Sequence, residues 1–436
     1  MRFDAVVFDL DGTLTESGPG IIASARYALE KMGKPALSDG ELRAFVGPPL
    51  KDSFMRLCGM TESEADLAVK AYRERHASIG WKEARVYEGI LALLINLKRA
   101  GAKIALASSK PLDICEKTLR YFGLLGFFDK LSAPEDEKNS GVGKDVLIRN
   151  ALPAEYENAC MVGDRKFDTE GARKAGVFAI GVGYGYGSRE ELENADAQQY
   201  CETVDELSDF LLEGVPRQKG LFITFEGSDG CGKSTQLSLL AQYLRECGAK
   251  VVTSREPGGC PISERIRNVL LDVKSMGMTD ECEALLFAAS RAQHVHDVIK
   301  PALARGEIVL CDRFADSSYA YQGAGRGLGS WVKDINSRVV SDCTPDLTLF
   351  FDLSPAEALK RRYHAAEADR IELANVDLMD RVYKAFQDIC KQNPNRVIRL
   401  DATGKIEQIQ DRVRQIIVSH LSNVARGLQT TENLEG

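Results

Sequence analysis

Short apolar runs recur along this chain, each followed by a stretch with apolar residues at helical spacing. In the first half the runs fall at residues 3–9, 103–108, 160–164 and 178–182. The rhythm restarts at 221–225 and continues at 250–253, 307–311, 346–351 and 396–400. Runs that are almost continuously apolar, rather than alternating, predict parallel strands covered on both faces by crossover helices. The expected fold class is α/β, with two parallel-sheet domains in series.

The first crossover is interrupted by a charged, helical stretch, which predicts a helical cap over 16–85 inserted into a core made of 1–15 and 86–213. Gly214, Pro216 and the charges around them break the preceding helix and predict a linker at 214–219. The second domain is expected over 220–422, and the polar, aperiodic residues 423–436 as a fraying tail. No repeat of solenoid length recurs.

Composition narrows the picture. At 436 residues the chain exceeds one ordinary hydrophobic core. A net charge of −8 argues against nucleic acid as a partner, because that affinity comes from clustered Lys and Arg neutralising phosphates. The eleven Cys are scattered, odd in number and without a CxxC pair, so free thiols in a reducing cytosol are expected. The N-terminus runs straight into strand-like sequence, leaving no room for a signal peptide. The longest apolar stretch, near 90–97, falls far short of the roughly 20 residues a membrane helix needs. A cytoplasmic protein with no membrane partner is the expectation.

The strongest local signal is Gly227-Ser228-Asp229-Gly230-Cys231-Gly232-Lys233-Ser234, which fits G-x-x-x-x-G-K-[ST] between an apolar strand and an amphipathic helix. Glycines there let successive N–H groups point at a phosphate, and the helix N-terminus adds partial positive charge. Lys233 would bridge the β- and γ-phosphates of ATP, and the Ser234 hydroxyl would ligate Mg²⁺. Arg255-Glu256-Pro257-Gly258-Gly259, Phe287 with Arg291, Asp312-Arg313, and Ser318 to Gln322 follow at or near later strand ends. In open parallel sheets, ligands bind beyond those ends.

In this order the segments closely resemble the thymidylate kinase family over about 220–421. The resemblance implies transfer of the γ-phosphoryl of MgATP to dTMP. Phe287 would stack on the base, Arg291 would hydrogen-bond its edge, and Ser318 and Gln322 would add polar contacts. Tyr321 would crowd the sugar 2′ position, Arg255 and Arg313 would clamp the 5′-phosphate, Asp229 would meet the 3′-hydroxyl, and Asp312 would position Mg²⁺. The family usually places a catalytic Arg in the phosphate loop or in a mobile lid. Gly230 holds the loop position, which turns attention to the lid at 360–370, where Arg361, Arg362 and Arg370 are available. Family members often dimerise through kinase helices, which would make a homodimer, although no decisive stripe marks the contact.

In the first half, Asp9-Leu10-Asp11-Gly12-Thr13 closes the first strand, and residues two apart on a strand project to one side. Paired acids repel and call for a divalent cation. Ser108 tips a later strand, Lys144 opens a helical run, and Asp164 and Asp168 follow another strand. This order resembles the haloacid-dehalogenase superfamily of phosphatases, in its capped, phosphoglycolate-phosphatase-like branch, over about 1–213. The resemblance implies that Asp9 forms an aspartyl-phosphate and that Asp11 serves as acid and then base. Ser108 and Lys144 would hold the phosphoryl oxygens. Asp9, Asp164 and the backbone carbonyl of Asp11 would bind Mg²⁺, with Asp168 in support. Ser108 stands where Thr is commoner, which keeps the hydroxyl. The segment 45–50 of the cap is expected to help read the leaving group, with phosphoglycolate or a nucleoside monophosphate as substrate.

A bifunctional enzyme is thus expected. Two alternatives stay open: a first half that senses a metabolite without turning it over, and a kinase for another nucleoside monophosphate.

Overall fold

A computed structural model describes residues 1–47, 49–135, 142–216, 219–340, 342–362 and 376–425. It divides into two compact units, one holding Met1–Pro216 and the other holding Ala249–Asn423 with the stretch up to Arg245.

The first unit is built on a six-stranded parallel sheet. Its strands are β1 (Ala5–Phe8), β4 (Lys103–Ala107), β5 (Lys130–Ser132), β6 (Ala159–Gly163), β7 (Phe178–Val182) and β8 (Gln199–Cys201). They lie in the order β5-β4-β1-β6-β7-β8. Every residue of β1 is buried, as an apolar run covered on both faces requires. The chain winds from β1 to one side and returns through β6 to the other, so a crevice opens beyond the C-terminal ends of these two strands. β5 and β8 are only three residues each, too short to show a period in sequence.

A two-stranded antiparallel ribbon, β2 (Thr15–Glu16) with β3 (Arg85–Val86), brackets an insertion of helices. The main ones are Gly18–Lys31, Leu50–Cys58 and Glu62–Ser78. The insertion has its own apolar core, in which Ile21, Ala25, Leu29, Phe45, Phe54 and Val69 pack together. Thr61 caps the long helix Glu62–Ser78 reciprocally with Glu64, satisfying two donors at its start.

The second unit carries a five-stranded parallel sheet: β9 (Phe222–Glu226), β10 (Val251–Arg255), β11 (Ile308–Asp312), β12 (Leu347–Asp352) and β13 (Val397–Asp401), in the order β10-β11-β9-β12-β13. β10 runs two residues past the expected end, which places Arg255 at the strand terminus. The last helix, Ile406–Ala425, continues beyond Asn423, where the sequence suggested fraying. Among the described residues no helix is long and apolar enough to cross a membrane.

Candidate active sites

Each unit gathers its chemistry-bearing side chains beyond the C-terminal end of its central strand. In the first unit the Asp9 N–H still donates to Val162 O at 3.0 Å, so the sheet ladder fixes this residue. The chain then turns tightly, with Gly12 N–H donating to Thr15 O at 2.8 Å. Gly12 has φ +86°, and a Cβ there would lie 2.1 Å from Asp164 Oδ2, so only glycine fits.

Carboxylate oxygens of Asp9, Asp164 and Asp168 lie within 4.8 Å of one another. Lys144, the first residue of the helix Lys144–Ala151, donates to Asp9 Oδ1 at 2.6 Å and sits 2.6 Å from Asp168 Oδ1. Asp164 Oδ2 accepts from Tyr186 N–H at 2.8 Å. Lys144 thus serves two of the three buried carboxylates. Burial pushes the Asp9 carboxyl up to about 7, with Lys144 opposing and Asp168 adding to the rise. Burial, then Asp168 and Asp9, push Asp164 well above its ordinary range. The excess negative charge and the all-oxygen donor set fit a divalent cation such as Mg²⁺.

Asp11 stands apart from this cluster. Its carboxylate accepts from Lys110 Nζ at 2.8 Å. Burial acts to raise it, but Lys110, and behind it Ser17 and His76, bring it below the usual carboxylate range. Among the expected metal ligands, the Asp11 side chain is therefore not part of the carboxylate group, which leaves its backbone carbonyl as the ligand the resemblance implied. Ser108 is buried, and its hydroxyl accepts from Lys110 N–H at 3.2 Å. Lys110 is the residue sequence reasoning missed. Its only signal was its position two residues beyond Ser108. Of the 45–50 segment, Val46 O accepts from Arg165 at 2.9 Å, Phe45 is core, and Pro48 lies outside the described residues.

In the second unit, one cavity of ≈ 500 Å³ is lined by Asp229, Gly230, Gly232, Lys233, Ser234, Arg255, Phe287, Arg291, Asp312, Arg313, Ser318, Tyr321 and Gln322. Gly227, Ser228 and Cys231 complete the loop behind this wall. The Lys233 ammonium folds over the loop, donating to Gly227 O at 3.0 Å and Ser228 O at 2.9 Å. Ser234 Oγ donates to Asp312 Oδ2 at 2.5 Å, so the two oxygens expected at Mg²⁺ already face each other. Arg313 adopts φ +69°, a conformation costly for a non-glycine residue. Its guanidinium donates to Asp229 at 2.7 Å, Ser317 Oγ at 3.0 Å and Tyr321 Oη at 3.2 Å.

Phe287 is half-buried, packs against the apolar cluster of Ala320, Tyr321 and Phe386, and also lines the cavity. Arg291 is 1% exposed and lines the cavity, and its guanidinium is held by Glu256 at 2.7 Å, Ser318 Oγ at 3.0 Å, Phe314 O at 3.0 Å, and Asn336. Gln322 donates to buried Glu283 at 2.9 Å, and Arg255 pairs with Glu264 at 3.1 Å. Glu256, Glu283 and Asn336 were not picked out in sequence, because they act by holding other residues. Arg361 departs from expectation. It donates to Ala402 O at 2.9 Å and Thr403 O at 3.0 Å and does not line the cavity. The Arg362 side chain and Arg370 lie outside the described residues.

The fold and sites thus define two enzyme classes in one chain: a phosphate-loop kinase and an aspartate-centred, capped hydrolase. The family model for thymidylate kinase matches residues 225–413, and that for haloacid dehalogenase-like hydrolase matches 6–182. Thymidylate kinase of Exiguobacterium sp. is 47% identical over 203 residues, covering 46% of this chain and 96% of that protein. Thymidylate kinase of Oceanobacillus iheyensis is 42% identical over 220 residues, 50% of this chain and 98% of that protein. A predicted phosphatase from Clostridium acetobutylicum, known as a crystal structure, is 39% identical and covers 49% of this chain and 100% of its own, with a TM-score of 0.45. The chain belongs to the thymidylate kinase family through its second half, and its first half is a haloacid dehalogenase-like hydrolase domain.

Proposed function

We propose that the second unit transfers the γ-phosphoryl of ATP to dTMP, and that the first unit hydrolyses a small phosphate monoester through an aspartyl-phosphate. The observation that carries the kinase reading is the single cavity that joins the phosphate loop to Phe287, Arg291 and Arg313. The loop N–H groups and Lys233 hold the triphosphate. Arg313 and Arg255 hold the acceptor phosphate with planar forks. Phe287 offers a ring to the base, and Arg291, fixed by Glu256, presents a preset donor. Tyr321 stays protonated because burial pushes its phenol up, so it meets the sugar as a neutral wall. Catalysis on this scheme is position and charge rather than covalent chemistry.

In the first unit Asp9 attacks phosphorus as the bond to the leaving oxygen breaks, and Asp11, once it has parted from Lys110 and taken up a proton from solvent, gives that oxygen its proton. Asp11 then takes a proton from water, which attacks the aspartyl-phosphate, releases phosphate and restores Asp9. Ser108 and Lys144 hold the phosphoryl oxygens. Mg²⁺, held by Asp9, Asp164, Asp168 and the Asp11 carbonyl, would supply positive charge against the phosphoryl group. The three buried acids Asp9, Asp164 and Asp168, gathered at one site, support turnover over mere sensing, since a sensor has no need of buried acids so placed.

The kinase reading is tested by dTDP formation from MgATP and dTMP in competition with dUMP, dGMP and dCMP. A preference for dGMP would overturn the base contacts. The hydrolase reading is tested on a panel of phosphate esters, where failure to release phosphate from any of them would overturn it.

A further inference from the structure

The first unit holds a cavity of ≈ 810 Å³ lined by residues of both the helical insertion and the sheet-bearing core. One wall adjoins the carboxylate cluster, because Arg165 and Lys166 follow Asp164 in the chain and Tyr186 N–H donates to Asp164 Oδ2 at 2.8 Å. Three cations stand ready there: Arg43 and Arg56 from the insertion, and Lys166 at the start of the helix Lys166–Ala175. All three are exposed, and among the described residues none of them makes an ion pair. Arg165 is already committed, to Glu191 at 2.9 Å and to Val46 O at 2.9 Å. Of the two acids at the cavity, Glu16 is paired with Arg85, which leaves Asp52 against three cations.

An excess of cations around a concave surface attracts an anion, and planar arginine forks match the oxygens of a phosphate. A phosphate monoester carries about −1.5 to −2 charge near pH 7, against a single charge on a carboxylate, so the excess here suits phosphate better. The wall also carries the rings of Phe167, Tyr184 and Tyr186. Both tyrosine hydroxyls have backbone partners: Tyr184 donates to Thr13 O at 3.2 Å, and Tyr186 accepts from Gly18 N–H at 2.6 Å. Ring surface is therefore what these side chains chiefly offer a ligand. The volume matches sites that enclose ligands of many atoms, whereas a two-carbon leaving group such as glycolate would leave most of it to water.

We propose that this cavity takes the leaving group of the phosphatase substrate, and that it selects sugar phosphates whose leaving group carries a second phosphate. The inference rests on the phosphatase reading and names its substrate class. Arg43 and Arg56 belong to the insertion and Lys166 to the core, so the second phosphate is held by both parts while the first meets Asp9. These three are specificity residues, with phosphoryl chemistry left to Asp9 and Asp11.

The test uses the full chain with Mg²⁺, without ATP, and measures phosphate release. The substrates are p-nitrophenyl phosphate, 2-phosphoglycolate and two matched pairs: fructose 1,6-bisphosphate with fructose 6-phosphate, and adenosine 3′,5′-bisphosphate with AMP. In at least one pair, kcat/KM for the bisphosphate should exceed that for its monophosphate and for 2-phosphoglycolate by about tenfold or more. Added salt should shrink that preference, because exposed charges are screened. R43Q and R56Q should each lower the ratio of bisphosphate to p-nitrophenyl phosphate turnover by about tenfold, and R43K should keep part of it. A packing role would not separate the esters in this way. Parity within both pairs, a preference for 2-phosphoglycolate, or equal loss on every ester in R43Q would overturn the subsite. Turnover of p-nitrophenyl phosphate without a bisphosphate preference sinks this inference alone. Failure on every ester sinks the phosphatase reading with it.

Discussion

Glu256 grips Arg291 at 2.7 Å in a place where both side chains are almost wholly buried, 2% and 1% exposed. The same carboxylate meets His294 Nδ1 at 3.0 Å, and His294 Nε2 meets Ser254 Oγ at 2.6 Å. Arg291 therefore reaches the cavity with its orientation already set by a chain of buried polar groups. E256Q leaves the guanidinium charge buried without its counter-ion, a loss of about 3–5 kcal/mol for such pairs. We expect KM for dTMP to rise about tenfold or more, with a smaller change in kcat, and the second unit to melt earlier. Steady-state kinetics with varied dTMP, alongside thermal melts, check this.

Gly12 gives a second prediction. A Cβ at this position would collide with the Asp164 carboxylate, which belongs to the cluster fitted to Mg²⁺. G12A should lower ester hydrolysis by at least about a hundredfold and weaken its activation by Mg²⁺, while dTMP phosphorylation stays unchanged. A magnesium titration of phosphate release, run beside a kinase assay on the same preparation, reads both.

The third prediction concerns pH. Burial, reinforced by Asp316, pushes the Glu226 carboxyl up to about 7, although it accepts from Phe314 N–H at 2.8 Å and Ser317 Oγ at 2.5 Å. The folded unit thus keeps a proton that the unfolded chain releases near the ordinary value of 4.5. Stability from this group is greatest below that value and falls as pH rises towards about 7, beyond which the penalty is constant. E226Q should flatten this decline and raise the melting point at pH 8 by about 3 °C or more. Melts from pH 5 to 8, following the transition that ATP shifts, test it.

How much of this was legible in sequence depends on how far apart the cooperating residues lie. The loop from Gly227 to Ser234 and the Asp9–Asp11 pair are contiguous, so their chemistry is written locally. Strands fully buried on both faces, such as β1 and β9, announced themselves as apolar runs. Partners across long separations left no such mark. Lys110 meets Asp11 across 99 positions, and Glu226 meets Ser317 across 91. Arg361 is one of several arginines in a basic stretch, and nothing there shows that the carbonyls of Ala402 and Thr403, supplied by a segment some 40 residues away, accept from it. Charge in a sequence identifies a candidate, and only the fold decides what that charge meets.

The central claim is that one chain holds two separate phosphoryl-transfer sites, a triphosphate cradle around Lys233 and a nucleophile at Asp9. The direct measurement is both activities, dTDP formation and ester hydrolysis, in K233A and D9N. The account predicts that K233A loses at least about a hundredfold of kinase turnover and keeps hydrolysis, and that D9N does the reverse. Unimpaired dTDP formation in K233A, or loss of both activities in either variant, would contradict it.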